Sequence, residues 1–251
     1  MHFLTSFEED RRVRLLQGVR KVAMLGKIYN KPFQTKEESI YETLRNAILQ
    51  CEIQPGEKLV IDRLAAEFGV STIPIRTVLQ RLQIEGLVEI VPHSGAQVSG
   101  ISPDTVEEIF MILGAFESIG FPAAARKITD DEIRELKQMI EAMDHAVTDN
   151  NAQIWSELNR KFHIRIAEIA QMPLLTDFTV RVFDQWERIR IYYLKDVLTH
   201  RLAQAQHEHH ELFQLLTEHK DQELAAKAVA HNSLAKDSYQ QWINAHLKNP
   251  E

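Results

Sequence analysis

The sequence predicts a mainly α-helical protein of two parts: a short module of three helices and a β-hairpin, then an all-helical bundle of six or so helices. Three observations carry this. Apolar residues recur at helical spacing over most of the chain, period-two alternation is confined to 87–98, and no strand signal follows Ser102.

The elements follow in order. Residues 1–36 form a basic extension and linker, eight Lys/Arg against three Asp/Glu, with Val13, Leu16, Val19, Val22 and Leu25 at mostly helical spacing. Thr35 is an N-cap with Glu38 at the capping-box position. Ile40, Leu44, Ala47 and Ile48 then line one face of a helix that ends before the turn dipeptide Pro55-Gly56. A short helix runs from Asp62 to Phe68 and closes at Gly69. Ser71 or Thr72 caps the next, with Pro74 in the first turn, where a missing N–H costs nothing. That helix carries Ile75, Val78, Leu79 and Leu82 and stops at Gly86. Residues 87–91 alternate as a strand, Pro92-His93-Ser94-Gly95 turns, and Ala96-Gln97-Val98 returns.

Beyond Ser102, Ser102-Pro103 opens one helix and Thr129-Asp130-Asp131-Glu132 is a capping box for another; periodic segments continue to about His246. Gly120 and Pro122 predict a kink or break in the first of these helices. Three parts result: 1–36, 37–100 and 101–251.

Composition restricts the classes available. The chain has 251 residues, 44% hydrophobic and 26% charged, which is globular composition. A single cysteine, Cys51, excludes an internal disulfide and fits a reducing compartment. No apolar run approaches the roughly 20 residues of a bilayer span, and the basic N-terminal stretch lacks a following signal core, so the expected location is the cytoplasm, without membrane partners. Net charge is −7, and residues 37–100 hold five Lys/Arg (Arg45, Lys58, Arg63, Arg76, Arg81) against nine acids. Attraction to nucleic acid must therefore come from the placement of a few arginines or from Arg11, Arg12, Arg14, Arg20 and Lys21 in the extension.

Helix, short helix, Gly-Val-Ser turn, helix and hairpin within about 60 residues is the order of a winged helix-turn-helix, whose recognition helix enters the DNA major groove with its N-terminal residues on base edges. Leu44-Arg45-x-x-Ile48, Pro55-Gly56-Glu57-x-Leu59, Leu64-Ala65-x-x-Phe68-Gly69-Val70-Ser71, Pro74-Ile75-Arg76, Arg81-Leu82 and Glu85-Gly86-Leu87-Val88 closely resemble the GntR family of repressors. The resemblance implies operator contacts from Arg45, Arg76 and Arg81, with Ser71, Thr72 and Pro74 at the start of the recognition helix and His93 and Gly95 in the wing. The chain departs from the family at Thr72 and Ser94, where arginine is usual, and at Ile73, where threonine is common. Each missing bidentate guanine contact removes roughly 1–3 kcal/mol of base discrimination, so the operator is expected to differ from the family's usual one.

Eleven histidines are present. His145, His200, His207, His219 and His246 read as surface or packed residues. Asn159 and His163, four apart, share a helical face with Trp155, Phe162 and Ile166. His209 and His231 each lie eleven residues from Lys220, so in an antiparallel helical hairpin they sit at one height, about 16 Å from the turn. The same positions resemble the FCD subgroup of GntR regulators, the FadR subfamily, in which an Asp-x-x-x-His pair and two later histidines hold a divalent metal beneath a ligand pocket. By that resemblance Asn159, His163, His209 and His231 are metal ligands, for zinc first and nickel or manganese next. Arg160, Trp186 and Arg190 are the effector-binding candidates. Asn159 stands where aspartate is usual and Leu113 where arginine is common. A neutral amide is the poorer transition-metal ligand, and one fewer negative ligand favours an anionic effector.

The expected function is a homodimeric regulator, not an enzyme, that binds double-stranded operator DNA under control of a small organic acid. Two other readings remain. A His-metal hydrolase would need a general base, and Glu208 adjoins His209 and so points about 100° away on a helix. A non-sensing, architectural DNA-binding protein would keep a metal-free pocket.

Overall fold

A computed structural model describes residues 35–91, 95–193 and 195–247, so the basic extension, with Arg11, Arg12, Arg14, Arg20 and Lys21, and His93 lie outside the described residues. The chain divides between Gly100 and Ile101 into two compact units.

In the first unit α1 (Lys36–Leu49) starts at Thr35, whose Oγ1 accepts from the Glu38 amide at 3.2 Å. The Glu38 carboxylate does not complete the expected capping box; it lies 2.6 Å from Arg81, a charged donor that outcompetes a backbone amide. Gly56 (φ 78°) turns the chain into β1 (Lys58–Leu59), a strand the sequence reading missed because two residues show no alternation. α2 (Ile61–Phe68) ends on Gly69 in the left-handed region (φ 64°), and α3 (Thr72–Ile84) follows from Ser71. β2 (Val88–Val91) and β3 (Gly95–Val98) form the expected hairpin, and β1 pairs with the free edge of β3, giving an antiparallel sheet of order β1-β3-β2. The core is the inward face of each helix: Leu44 and Ile48, Leu64, and Ile75, Val78, Leu79 and Leu82, closed by Leu59, Val88 and Val98.

Among the described residues the second unit holds six helices: α4 (Pro103–Ala125), α5 (Asp130–Thr148), α6 (Ala152–Ile169), α7 (Pro173–Tyr193), α8 (Lys195–Thr217) and α9 (Asp221–Leu247). Both predicted starts are capping boxes, Ser102 with Thr105 and Thr129 with Glu132. The break expected at Gly120 and Pro122 does not occur; α4 is one helix to Ala125. Pro122 removes only one hydrogen bond, near the end, while Phe121, Ala124 and Ala125 bury their side chains and hold the last turn in place. Gly120 serves close packing instead: a Cβ there would lie 3.0 Å from Leu175 Cδ2.

Contrary to the sequence reading, α4 is long and apolar enough to cross a membrane, and it is the one such helix among the described residues. Its apolarity has a different use, because it runs through the bundle against α6, α7, α8 and α9. Two apolar clusters share it: Phe121 with Leu136, Phe162, Leu212 and Leu224, and Phe110 with Phe183, Ile189, Tyr239 and Ile243.

Candidate functional site

In the first unit the α2–turn–α3 segment determines which side chains of α3 face outward. Gly69 can take the left-handed conformation without a Cβ penalty, and this turns the chain into α3. Burial of Ile75, Val78, Leu79 and Leu82 then leaves Ile73, Arg76, Thr77 and Gln80 on the exposed side. α3 contains no Asp or Glu, whereas residues 37–100 together hold nine acids against five Lys/Arg. Its outer surface is therefore the part of this unit best suited to face phosphate.

The three candidate arginines separate. Arg76 is exposed, with no ion pair among the described residues. Arg45 Nε lies 2.7 Å from Glu85 Oε2, and Glu85 also accepts from the Tyr41 hydroxyl. Arg81 lies over the Tyr41 ring, 3.4 Å from its centroid, with Nη1 2.6 Å from Glu38. Burial, reinforced by Glu85, pushes the Tyr41 phenol up to about 12. Arg45 and Arg81 thus tie α1 to the C-terminal half of α3, a structural engagement the sequence could not show. Ser71 is exposed and Thr72 and Pro74 half-buried at the start of α3; Gly95 (φ 91°) opens β3.

In the second unit three histidines from three helices meet: His163 on α6, His209 on α8 and His231 on α9. Their ligand nitrogens all lie within 4.8 Å of one another. His163 Nε2 and His209 Nε2 are 3.0 Å apart, and the His209 and His231 rings are 4.7 Å apart between centroids. All three are buried, with Trp155 and Phe162 edge-on to His209. Burial, then the neighbouring histidines, holds His209 well below the ordinary imidazole range; burial, then His163, does the same for His231. Both are neutral at pH 7, the form that coordinates a cation.

Carboxylates orient this cluster from behind. Glu208 Oε2 accepts from His231 Nδ1 at 2.6 Å, and Arg201 Nη2 donates to both Glu208 oxygens at 3.0 and 2.7 Å. Glu117 Oε1 lies 2.7 Å from His163 Nδ1, at ion-pair distance though off the hydrogen-bonding line, while Oε2 accepts from Asn232 at 2.6 Å. A carboxylate behind Nδ1 directs Nε2 inward, the arrangement that supports imidazole ligands. Asn159 is 5% exposed and its Oδ1 has no hydrogen-bond partner. A buried acceptor without a donor costs about 1–3 kcal/mol, so a cation there removes a penalty. The donor set fits a divalent ion.

His163 and His231 also line a cavity of about 30 Å³, with apolar walls from Phe110, Leu113, Phe183, Trp186 and Tyr239 and further polar groups from Glu117, Asn159, Arg201 and Asn232. Of the three effector-binding candidates, Trp186 lines this cavity. Arg160 and Arg190 do not line the cavity: Arg160 Nη2 is 2.9 Å from Asp184, and Arg190 pairs with Glu187 one turn away. The cation at the cavity is Arg201. Sequence reasoning missed it, with Glu117, Glu208 and Asn232 as positioning residues. Glu208 does point away from His209 as expected, but toward His231 on the next helix. Arg201 and Glu208, seven apart on one helical face, were the available signal.

A winged helix-turn-helix joined to a helical bundle is the architecture of a class of DNA-binding regulators. Residues 36–98 match the bacterial regulatory proteins of the gntR family, and residues 108–233 match the FCD domain. This chain belongs to the GntR family of transcriptional regulators and carries an FCD domain. It is 30% identical over 159 residues to the HTH-type transcriptional repressor RspR of Escherichia coli, covering 63% of this chain and 70% of that one. It is also 30% identical over 178 residues to the Nta operon transcriptional regulator of Aminobacter aminovorans, covering 71% and 82%. The solved structure of Escherichia coli McbR/YncC shares the fold, with a TM-score of 0.68 at 19% identity over 84% of this chain and all of that one.

Proposed function

We propose that this regulator binds its operator as a homodimer and that a small organic acid, bound beside a divalent metal in the FCD cavity, sets its affinity for DNA. The observation that carries this is the convergence of three buried imidazoles, backed by Glu117 and Glu208, at a cavity also lined by Asn159, whose Oδ1 has no hydrogen-bond partner. His163, His209, His231 and Asn159 would hold the ion, zinc first by ligand type and nickel or manganese next. The ion would supply a positive charge for an effector carboxylate, and Arg201 at the cavity adds a second. The cavity admits about two water molecules, so anything larger than a headgroup must part the walls built by α4, α7 and α9. An effector that prefers the parted arrangement by about 1–3 kcal/mol suffices for regulation.

Glu208 is committed to Arg201 and His231, so it is not available as the base of a hydrolase. On the DNA side Arg76 is the principal contact, with Ser71, Thr72, Pro74 and Gly95 around it. Arg45 and Arg81 support α3 from within the unit. Repression follows if the ligand-free form occupies a promoter.

The test is elemental analysis of protein as purified, then thermal melts against a panel of carboxylates with and without added zinc, nickel or manganese. About one metal per chain and a shift that grows with carboxylate concentration are expected. No metal taken up under any condition, with no shift, overturns the sensing reading and leaves a DNA-binding protein with a polar cavity.

A further inference from the structure

Ile73 is 73% exposed, in the first turn of α3, with Arg76 three residues on. An isoleucine held in water at this level gains when an apolar surface covers it. Its neighbours on the outer face indicate which surface. Residues three apart on a helix stand about 5–6 Å apart, so Ile73 and Arg76 address neighbouring base pairs when α3 lies in the major groove. The Thr77 hydroxyl donates back to the Ile73 carbonyl at 3.3 Å and is occupied within the helix. Ile84 is exposed on the same side at 78% but lies eleven residues further along, about 16 Å from Ile73, at the end of the helix away from base edges. The absence of acids from α3 favours DNA over a protein partner as the covering surface.

The one apolar group a base edge presents in the major groove is the thymine 5-methyl. We propose that Ile73 is a specificity-determining residue that packs on a thymine methyl next to the base pair read by Arg76, so that each half-site carries an essential thymine beside a guanine. This rests on the placement of α3 in the groove, and the test separates the two.

Full-length protein selects duplexes from a randomised library at low salt, and the recovered duplex is resynthesised with each thymine in turn replaced by deoxyuridine, which removes only the methyl. Binding is read by fluorescence anisotropy. For the wild type, one thymine per half-site is expected to weaken binding about fourfold when replaced, the equivalent of roughly 0.8 kcal/mol for one buried methyl. Ile73→Ala is expected to bind the thymine and uracil duplexes equally while keeping the wild-type melting temperature, because the side chain is outside the core. Equal binding of both duplexes by the wild type at every position, or an unchanged ratio in Ile73→Ala, overturns the assignment to Ile73. Failure to bind any duplex overturns the groove placement and the inference with it.

Discussion

Arg76 and Arg81 lie five residues apart on α3, and their neighbours give them different work. Arg81 is held between a tyrosine ring and a glutamate, whereas Arg76 is exposed, with no ion pair among the described residues. Arg76→Ala is therefore expected to weaken DNA binding and to lower the slope of log K against log salt by about one if the contact is to phosphate. Arg81→Ala is expected to alter that slope little. Anisotropy titrations from low to moderate salt check both, and unchanged binding by Arg76→Ala removes it from the interface. Among the histidines, His209→Ala is expected to abolish stoichiometric metal while the helical circular dichroism persists. Glu208→Gln keeps the ligands but loses the charge behind His231, so metal affinity is expected to fall about 10–100-fold. Retention of one metal per chain in His209→Ala would show that the ligands are misassigned.

Among the helices, α1 and α3 are joined at two points by opposite charges, Arg45 with Glu85 and Arg81 with Glu38, around the Tyr41 ring. The exposed Arg81–Glu38 pair contributes little. The part-buried Tyr41–Glu85 hydrogen bond contributes more, and Tyr41→Phe is expected to lower stability by about 1 kcal/mol in urea unfolding without changing the charge of the DNA-facing side. The turn between α2 and α3 depends on Gly69 at φ 64°. Gly69→Ala has open space for its Cβ, so its cost, about 1 kcal/mol, comes from the backbone conformation alone. In the bundle, α4 shows how one apolar helix can serve two clusters and still present Glu117 to a polar centre, because its near end joins a cluster with α7 and α9 and its far end a cluster with side chains of α5, α6, α8 and α9.

Across the whole molecule, a net charge of −7 and a DNA-binding unit with nine acids in residues 37–100 mean that affinity for DNA depends on where charge is placed. The second unit is expected to be acid-sensitive. His209 and His231 have folded values well below the ordinary one, so as pH falls below about 6.5 the unfolded chain takes up protons that the folded chain does not. Stability is full above that point and declines below it, by up to about 1.4 kcal/mol per pH unit for each histidine until its folded value is reached. Urea unfolding of metal-stripped protein between pH 7 and pH 5 measures this. A flat profile in His209→Ala/His231→Ala beside a sloping wild type is the expected pattern.

Local chemistry sufficed for much of this protein. Caps at Thr35, Ser102 and Thr129, the glycines after short helices, the period-two stretch at 87–98 and the i, i+4 spacing of Asn159 and His163 act over one or two turns, so they can be read along the chain. The equal distances of His209 and His231 from Lys220 extended that reading to a pair of helices. Tertiary structure decided what depends on partners distant in sequence: β1 pairing with β3, the engagement of Arg45 and Arg81, the diversion of Arg160 to Asp184 on the next helix, and the entry of Arg201, Glu117 and Glu208 into the polar centre. An arginine pairs with whichever carboxylate the fold brings within about 3 Å, and spacing along one helix does not specify which side chain the neighbouring helix presents there.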